Sequence, residues 1–120
     1  MATTANAAAI DIINRSHARR EPDPLLDLLA DDAELVQYRM DSLGAPNRLR
    51  GRAAIEEMFR DVFSRDMTHE VRDVVVGEDR IAYMVHCRYP DGKRVLGSYV
   101  CELDDAGRIT RIVGHESWDE

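Results

Sequence analysis

The first candidates for chemistry are two histidines placed by two hairpin turns. Pro90-Asp91-Gly92-Lys93 and Asp104-Asp105-Ala106-Gly107 let the last three strands be registered against one another. A two-residue loop at Asp91-Gly92 sets Tyr89 opposite Arg94, His86 opposite Gly97 and Met84 opposite Tyr99. A three-residue bulged loop at Asp105-Ala106-Gly107 sets Leu103 opposite Ile109, Tyr99 opposite Val113 and Gly97 opposite His115. His86, Gly97 and His115 then share one row, with the histidines about 10 Å apart at a strand spacing of roughly 4.8 Å. Such a row makes a polar, proton-exchanging end to an otherwise apolar cavity. The same placement also suits two satisfied, partly exposed histidines at the open end of a sheet. A one-residue change of register dissolves the row.

On this reading His86 and His115 are the candidate acid/base residues. Gln37, Met84, Arg88, Tyr99, His17, Met58 and Trp118 are the candidates for contacting a ligand. Cys87 and Cys101 fall on opposite faces and are expected not to bridge. Other chemistries find little support. The histidines, His17, His69, His86 and His115, include no i, i+4 pair, and there is no Cys-x-x-Cys, so no metal is expected. Ser98 lies on the face opposite His86, and neither a Gly-x-Ser-x-Gly nor a phosphate-cradling glycine loop occurs.

The elements that must hold these groups are legible. Ala7 to Arg20 has helical periodicity through Ile10, Ile13 and His17, and residues 1–6 are expected to be disordered. Pro22 and Pro24 stop that helix, and Asp23 caps a second, leucine-rich one that ends at the Asp31-Asp32 turn. Glu34 to Arg39 alternates as a strand, and Met40 to Arg50 reads as a loop. Gly51 opens a helix from Arg52 to about Ser64, with Ile55, Met58, Phe59 and Val62 as its buried stripe. From Thr68 the period becomes two, for four meandering strands. Both faces of that sheet are too apolar to stay in water. One should cover the helices, and the other should meet a second copy of the chain.

Composition narrows the function classes. The chain has 120 residues, 44% hydrophobic and 32% charged, which suits one globular domain. A net charge of -7, from 23 acids against 16 bases, argues against nucleic acid or an anionic membrane as partner. No window is long and apolar enough to span a bilayer. The Ala-rich start has no basic n-region, so no secretory signal is read there, and a reducing cytoplasm is the expected location.

Leu28-Leu29-Ala30-Asp31-Asp32-Ala33, Arg50-Gly51-Arg52-Ala53-Ala54-Ile55 with Phe59, Glu70-Val71-Arg72 and Asp105-Ala106-Gly107-Arg108-Ile109 occur in that order. This set resembles the nuclear transport factor 2-like superfamily, in its SnoaL-like and ketosteroid-isomerase-like branches. The resemblance covers nearly the whole chain as one domain. It implies an α+β cone, three N-terminal helices packed in a curved antiparallel sheet, with a hydrophobic pocket and a homodimer through the outer sheet face. It also implies that the face carrying His86 and Tyr99 is the inner one.

The resemblance carries ketosteroid isomerase chemistry less far. Gln37 stands where those enzymes have their aspartate base, Ile13 where they have a tyrosine, and Tyr99 where they have an acid. A neutral amide cannot take a substrate proton as a carboxylate does. The cyclases and epoxide hydrolases of similar fold work through an inward aspartate. No inward position placed above holds one, with the facing of Asp73 unresolved and Asp119 beyond the cone. Two functions remain: a cofactor-independent isomerase, cyclase, dehydratase or hydrolase on a small apolar substrate, or a non-catalytic ligand-binding or dimerisation domain.

Overall fold

The computed structural model describes the backbone of residues 2–120 and the side chains from Asn6 onward. Helix α1 spans Ala2–Arg19, beginning earlier than the periodicity suggests. The reason is Asn6, which is fully buried and whose Nδ2 donates to the carbonyls of Gly77 at 2.7 Å and Glu78 at 2.9 Å. These bonds tie the start of the helix to a strand turn. Ala9, Ile10, Ile13, Ser16 and His17 continue the buried stripe. The helix ends in a Schellman arrangement: Arg20 takes a left-handed φ of 54°, and the Glu21 amide reaches back to the Ser16 carbonyl.

Helix α2 is a single turn, Asp23–Leu26. Asp23 does not cap it; Pro22 occupies the cap position, and the Asp23 carboxylate pairs with Arg60 at 2.8 Å instead. The Ser16 hydroxyl accepts the Leu25 amide inside the core. Strand β1 runs Leu29–Arg39, so the Ala-Asp-Asp-Ala stretch is strand rather than turn. Leu29 pairs with Ile109, an irregularity follows before Glu34, and Ala30 and Ala33 are buried while Asp31 and Asp32 face solvent. Asn47–Arg50, read above as loop, forms a short strand β2 against β1. Helix α3, Arg52–Ser64, follows Gly51 at φ 88° as expected. It buries Ile55, Phe59 and Phe63, while Met58 and Val62 are only partly covered.

Strands β3 (Thr68–Val76), β4 (Arg80–Arg88), β5 (Arg94–Leu103) and β6 (Ile109–Trp118) complete one sheet in the order β2-β1-β6-β5-β4-β3. All pairings are antiparallel except β1 with β6, which is parallel. The sheet curves around the helices without closing, giving the α+β cone. Its core joins Ile13, Leu25, Leu26, Leu35, Ile55, Ile81, Val85, Ile109 and Ile112.

Two one-residue shifts change the face map. The first hairpin has a three-residue loop: Arg88 pairs with Arg94, and Tyr89 exchanges bonds with Lys93 and Gly92. Pro90 explains this. Its fixed φ suits the first corner of a type I turn, and Gly92, at φ 93°, supplies the left-handed residue that follows. In the second hairpin Leu103 does face Ile109, but Glu102 faces Arg111, leaving Thr110 as an extra residue. Its hydroxyl donates to the Glu102 carbonyl at 3.2 Å.

The row of His86, Gly97 and His115 therefore does not form. His86 faces Leu96, His115 faces Ser98, and Gly97 lies between Val85 and Glu116. Cys87 and Cys101 share the inner face, both buried and unbridged. Asp73 is exposed, at φ 55° in an irregularity of β3.

Candidate functional site

On the inner face, consecutive cross-strand rows read Tyr83–Tyr99–Gly114–Gln37 and Val85–Gly97–Glu116–Arg39. Tyr99 is a large side chain flanked by Gly97 on its own strand and by Gly114 on β6, and the geometry shows why. A Cβ on Gly97 would lie 2.6 Å from the Tyr99 ring and 2.8 Å from its hydroxyl oxygen. A Cβ on Gly114 would lie 2.7 Å from the other ring edge and 2.7 Å from Gln37 Oε1. The ring thus lies flat on the sheet across both glycines, with its hydroxyl directed toward Gly97.

Glu116 borders that hydroxyl. Its Oε2 accepts from Gln37 Nε2 at 3.5 Å, and its Oε1 lies 3.7 Å from Arg39 Nη1. Arg39 in turn stacks over Trp118, 4.6 Å from the ring centroid. Burial, reinforced by the Glu116 charge, pushes the Tyr99 phenol well up, and the contact with Gln37 offsets part of this. Tyr99 is therefore a neutral hydrogen-bond donor at physiological pH. Val95, Tyr99, Gln37, Glu116 and Trp118 are all half-buried. At the far end of the inner face, Ile81, Cys101, Ile109 and Ile112 are fully buried.

Deeper in the cone lies a second polar group. His17 from α1 and His69 from β3 are both buried, with ring centroids 5.4 Å apart and Phe63 edge-on to each. His69 Nδ1 meets the Cys87 sulfur at 3.3 Å. Among the described residues, His17 Nδ1 and His69 Nε2 have no hydrogen-bond partner. Burial holds His17 down to about 3 and His69 to about 4, so both imidazoles are neutral. Burial also raises the thiols, Cys87 to about 11 and Cys101 to about 12, which leaves neither as a thiolate nucleophile. Among the described residues no group of three or more His, Cys, Asp or Glu side chains is arranged to hold a metal ion.

The sequence-derived candidates thus separate. Gln37, Tyr99 and Trp118 come together on the inner face, and His17 is inward but walled into the aromatic cluster. Met58 lines the core side of α3. His86, His115, Met84 and Arg88 lie on the outer face, so the geometric basis for an acid/base pair inside the cone is absent. Glu116, Arg39, His69 and Cys87 were missed. Reading Pro90 as the first corner of a type I turn would have turned Cys87 inward. The Thr110 bulge that brings Glu116 inward left no distinct mark in the sequence.

A family model for the SnoaL-like domain matches residues 9–112. An NTF2-like protein of unknown function from Mesorhizobium loti is 19% identical over 97% of this chain and 93% of its own, with a TM-score of 0.84. A Mycobacterium tuberculosis protein solved in complex with estradiol-17beta-hemisuccinate is 19% identical over 92% of each chain, with a TM-score of 0.70. A computationally designed 17-OHP binder is 18% identical over 97% of this chain and 98% of its own, with a TM-score of 0.66. No curated protein matches the chain. At these identities the structural likeness speaks to the fold alone.

Proposed function

The chain belongs to the SnoaL-like family of the nuclear transport factor 2-like superfamily, and we propose that it takes a small, flat, mainly apolar molecule against the open end of its inner face. The observation that carries this is the inward Glu116 beside the neutral Tyr99 hydroxyl and the Gln37 amide. A carboxylate can accept a proton from a bound substrate while the phenol donates to an oxygen that gains charge. That division of labour suits a cofactor-independent isomerase, cyclase, dehydratase or hydrolase. The estradiol-17beta-hemisuccinate bound by one protein of similar fold fits the same ligand class. Two free, buried thiols fit the reducing cytoplasm expected from the sequence, and no helix is long and apolar enough to cross a membrane.

A non-catalytic reading is favoured by one contact. Arg39 and Gln37 already engage both oxygens of Glu116, as an anchoring group would be engaged. Titration with the neutral aryl alcohol 2-naphthol, followed by amide chemical shifts in wild type and in Glu116→Gln, separates the readings. An acid/base role predicts affinity within a few-fold in the variant, and turnover of a converted substrate lowered by about a hundredfold or more. An anchoring role predicts the loss in affinity itself.

We propose homodimerisation through the outer face as well. Val75, Ala82, Val100 and Val113 form one apolar row across four strands, with Val75 64% and Val100 39% exposed. Val85, by contrast, is 2% exposed on the inner side and belongs to the core. Val100→Glu should therefore give monomers by light scattering with the fold intact; an unchanged dimer would refute this interface.

A further inference from the structure

A cleft of about 810 Å³ is lined by residues of both sheet faces, the inward-facing His69, Cys87, Val95 and Trp118 among them. Outward-facing residues of four strands line it, among them Arg72, His86, Arg88, Arg94, Leu96 and Ser117. Two of its arginines are committed. Arg72 Nη2 reaches Glu70 at 2.8 Å, and Arg94 holds Asp119 through Nε at 3.0 Å, Nη2 at 3.4 Å and its backbone amide at 3.0 Å. These contacts keep the carboxyl groups of Glu70 and Asp119 below their usual range, so both acids stay ionised and occupied. Arg88 is different: among the described residues it has no ion-pair partner, and it is exposed. Its guanidinium sits at the rim, with Nη2 3.7 Å from where a Cβ on Gly92 would be.

Three arginines against two carboxylates leave the cleft one positive charge in excess, in a chain whose net charge is -7. Leu96, 37% exposed, supplies an apolar floor one row from Arg88. We propose that this cleft is a binding site for a small amphipathic anion, with its carboxylate or sulfonate on Arg88 and its apolar body over Leu96. The paired arginines form fixed walls whose stems add apolar surface. Leu96 and the valine row of the proposed dimer lie on the same face. Leu96 and Val100 are four residues apart on one strand, about 13 Å at roughly 3.3 Å per residue.

The test is titration of labelled protein with naphthalene-2-carboxylate, followed by amide chemical shifts. Saturable shifts at Leu96, Ser117 and Arg88 are expected, with affinity falling about tenfold in Arg88→Gln and for the neutral naphthalene-2-carboxamide. Ser117→Glu, which adds a negative charge inside the cleft, should weaken binding as much, and raised salt should weaken it further. Shifts confined to Gly97, Tyr99 and Gly114, no saturable shift at all, or equal affinity in Arg88→Gln would each overturn the assignment.

Discussion

Moving the protein from pH 7 to pH 5 is expected to remove about 4 kcal/mol of folding stability, roughly half of it through each of His17 and His69. The unfolded chain takes up protons near the ordinary histidine value of 6.5, while the folded chain holds His17 neutral to about 3 and His69 to about 4. Burial is the main cause for both. The neighbouring His69 adds to it for His17, and Arg20 adds to it for His69. Between those limits the unfolded state binds more protons, so stability is full above pH 6.5 and falls steadily as pH drops toward 4. A loss of this size is a large share of the 5–15 kcal/mol typical of small domains, about 0.05–0.15 per residue.

The chosen window isolates the histidines. The carboxylates held low by arginines, Glu70 and Asp119, release their contribution only below the ordinary carboxylate value, about 4. Urea midpoints at the two pH values measure the effect. His17→Phe keeps an aromatic ring beside Phe63 and should retain about half of the pH dependence. Coincident midpoints at pH 7 and pH 5 in the wild type would show that these imidazoles are not buried in solution.

Substituting either glycine beneath Tyr99 should cost about 1–3 kcal/mol, because a new Cβ forces the ring off the sheet. Gly114→Ala is the more severe, since its Cβ meets both Gln37 Oε1 and Tyr99 at 2.7 Å. The diagnostic quantity is the coupling. In a Tyr99→Ala background the same glycine substitutions should cost little, so the double-mutant cycle should return an interaction energy close to the full single-mutant penalty. Additive costs, measured by denaturant unfolding, would mean that the glycines serve the backbone rather than the ring. The glycines thereby connect sequence to site. They let a phenol lie flat with its hydroxyl beside Glu116, where an upright ring would fill the open end.

Much of this architecture could be read from the chain. Gly51 and the apolar spacing Ile55, Phe59 mark helix α3 at its observed bounds, and the period-two pattern finds the last four strands. Tyr99 reads as inward from strand alternation joined to the family resemblance, and Gln37 from the resemblance alone. The facing of β4 and β6 was not recoverable, because side chains alternate with a period of two and one residue of shift inverts a strand. Pro90 and Thr110 each introduce such a shift. The result moved two histidines outward and one glutamate inward, exchanging the apparent acid/base pair for a different one. Asn6 and Asn47–Arg50 elude the sequence for another reason: the long-range bonds of the Asn6 side chain to the Gly77 and Glu78 carbonyls, and the backbone pairing of Asn47–Arg50 with β1, override weak local signals there.

The central claim is that the inner face, at Glu116 and Tyr99, is where a neutral apolar ligand binds. The most direct measurement is the 2-naphthol titration read at the amides of Gly97 and Gly114, which lie against the Tyr99 ring. The account predicts saturable shifts concentrated there and at Gln37 and Glu116, with His86, Leu96 and His115 unmoved. Shifts centred on those three outer residues, with Gly97 and Gly114 silent, would contradict it.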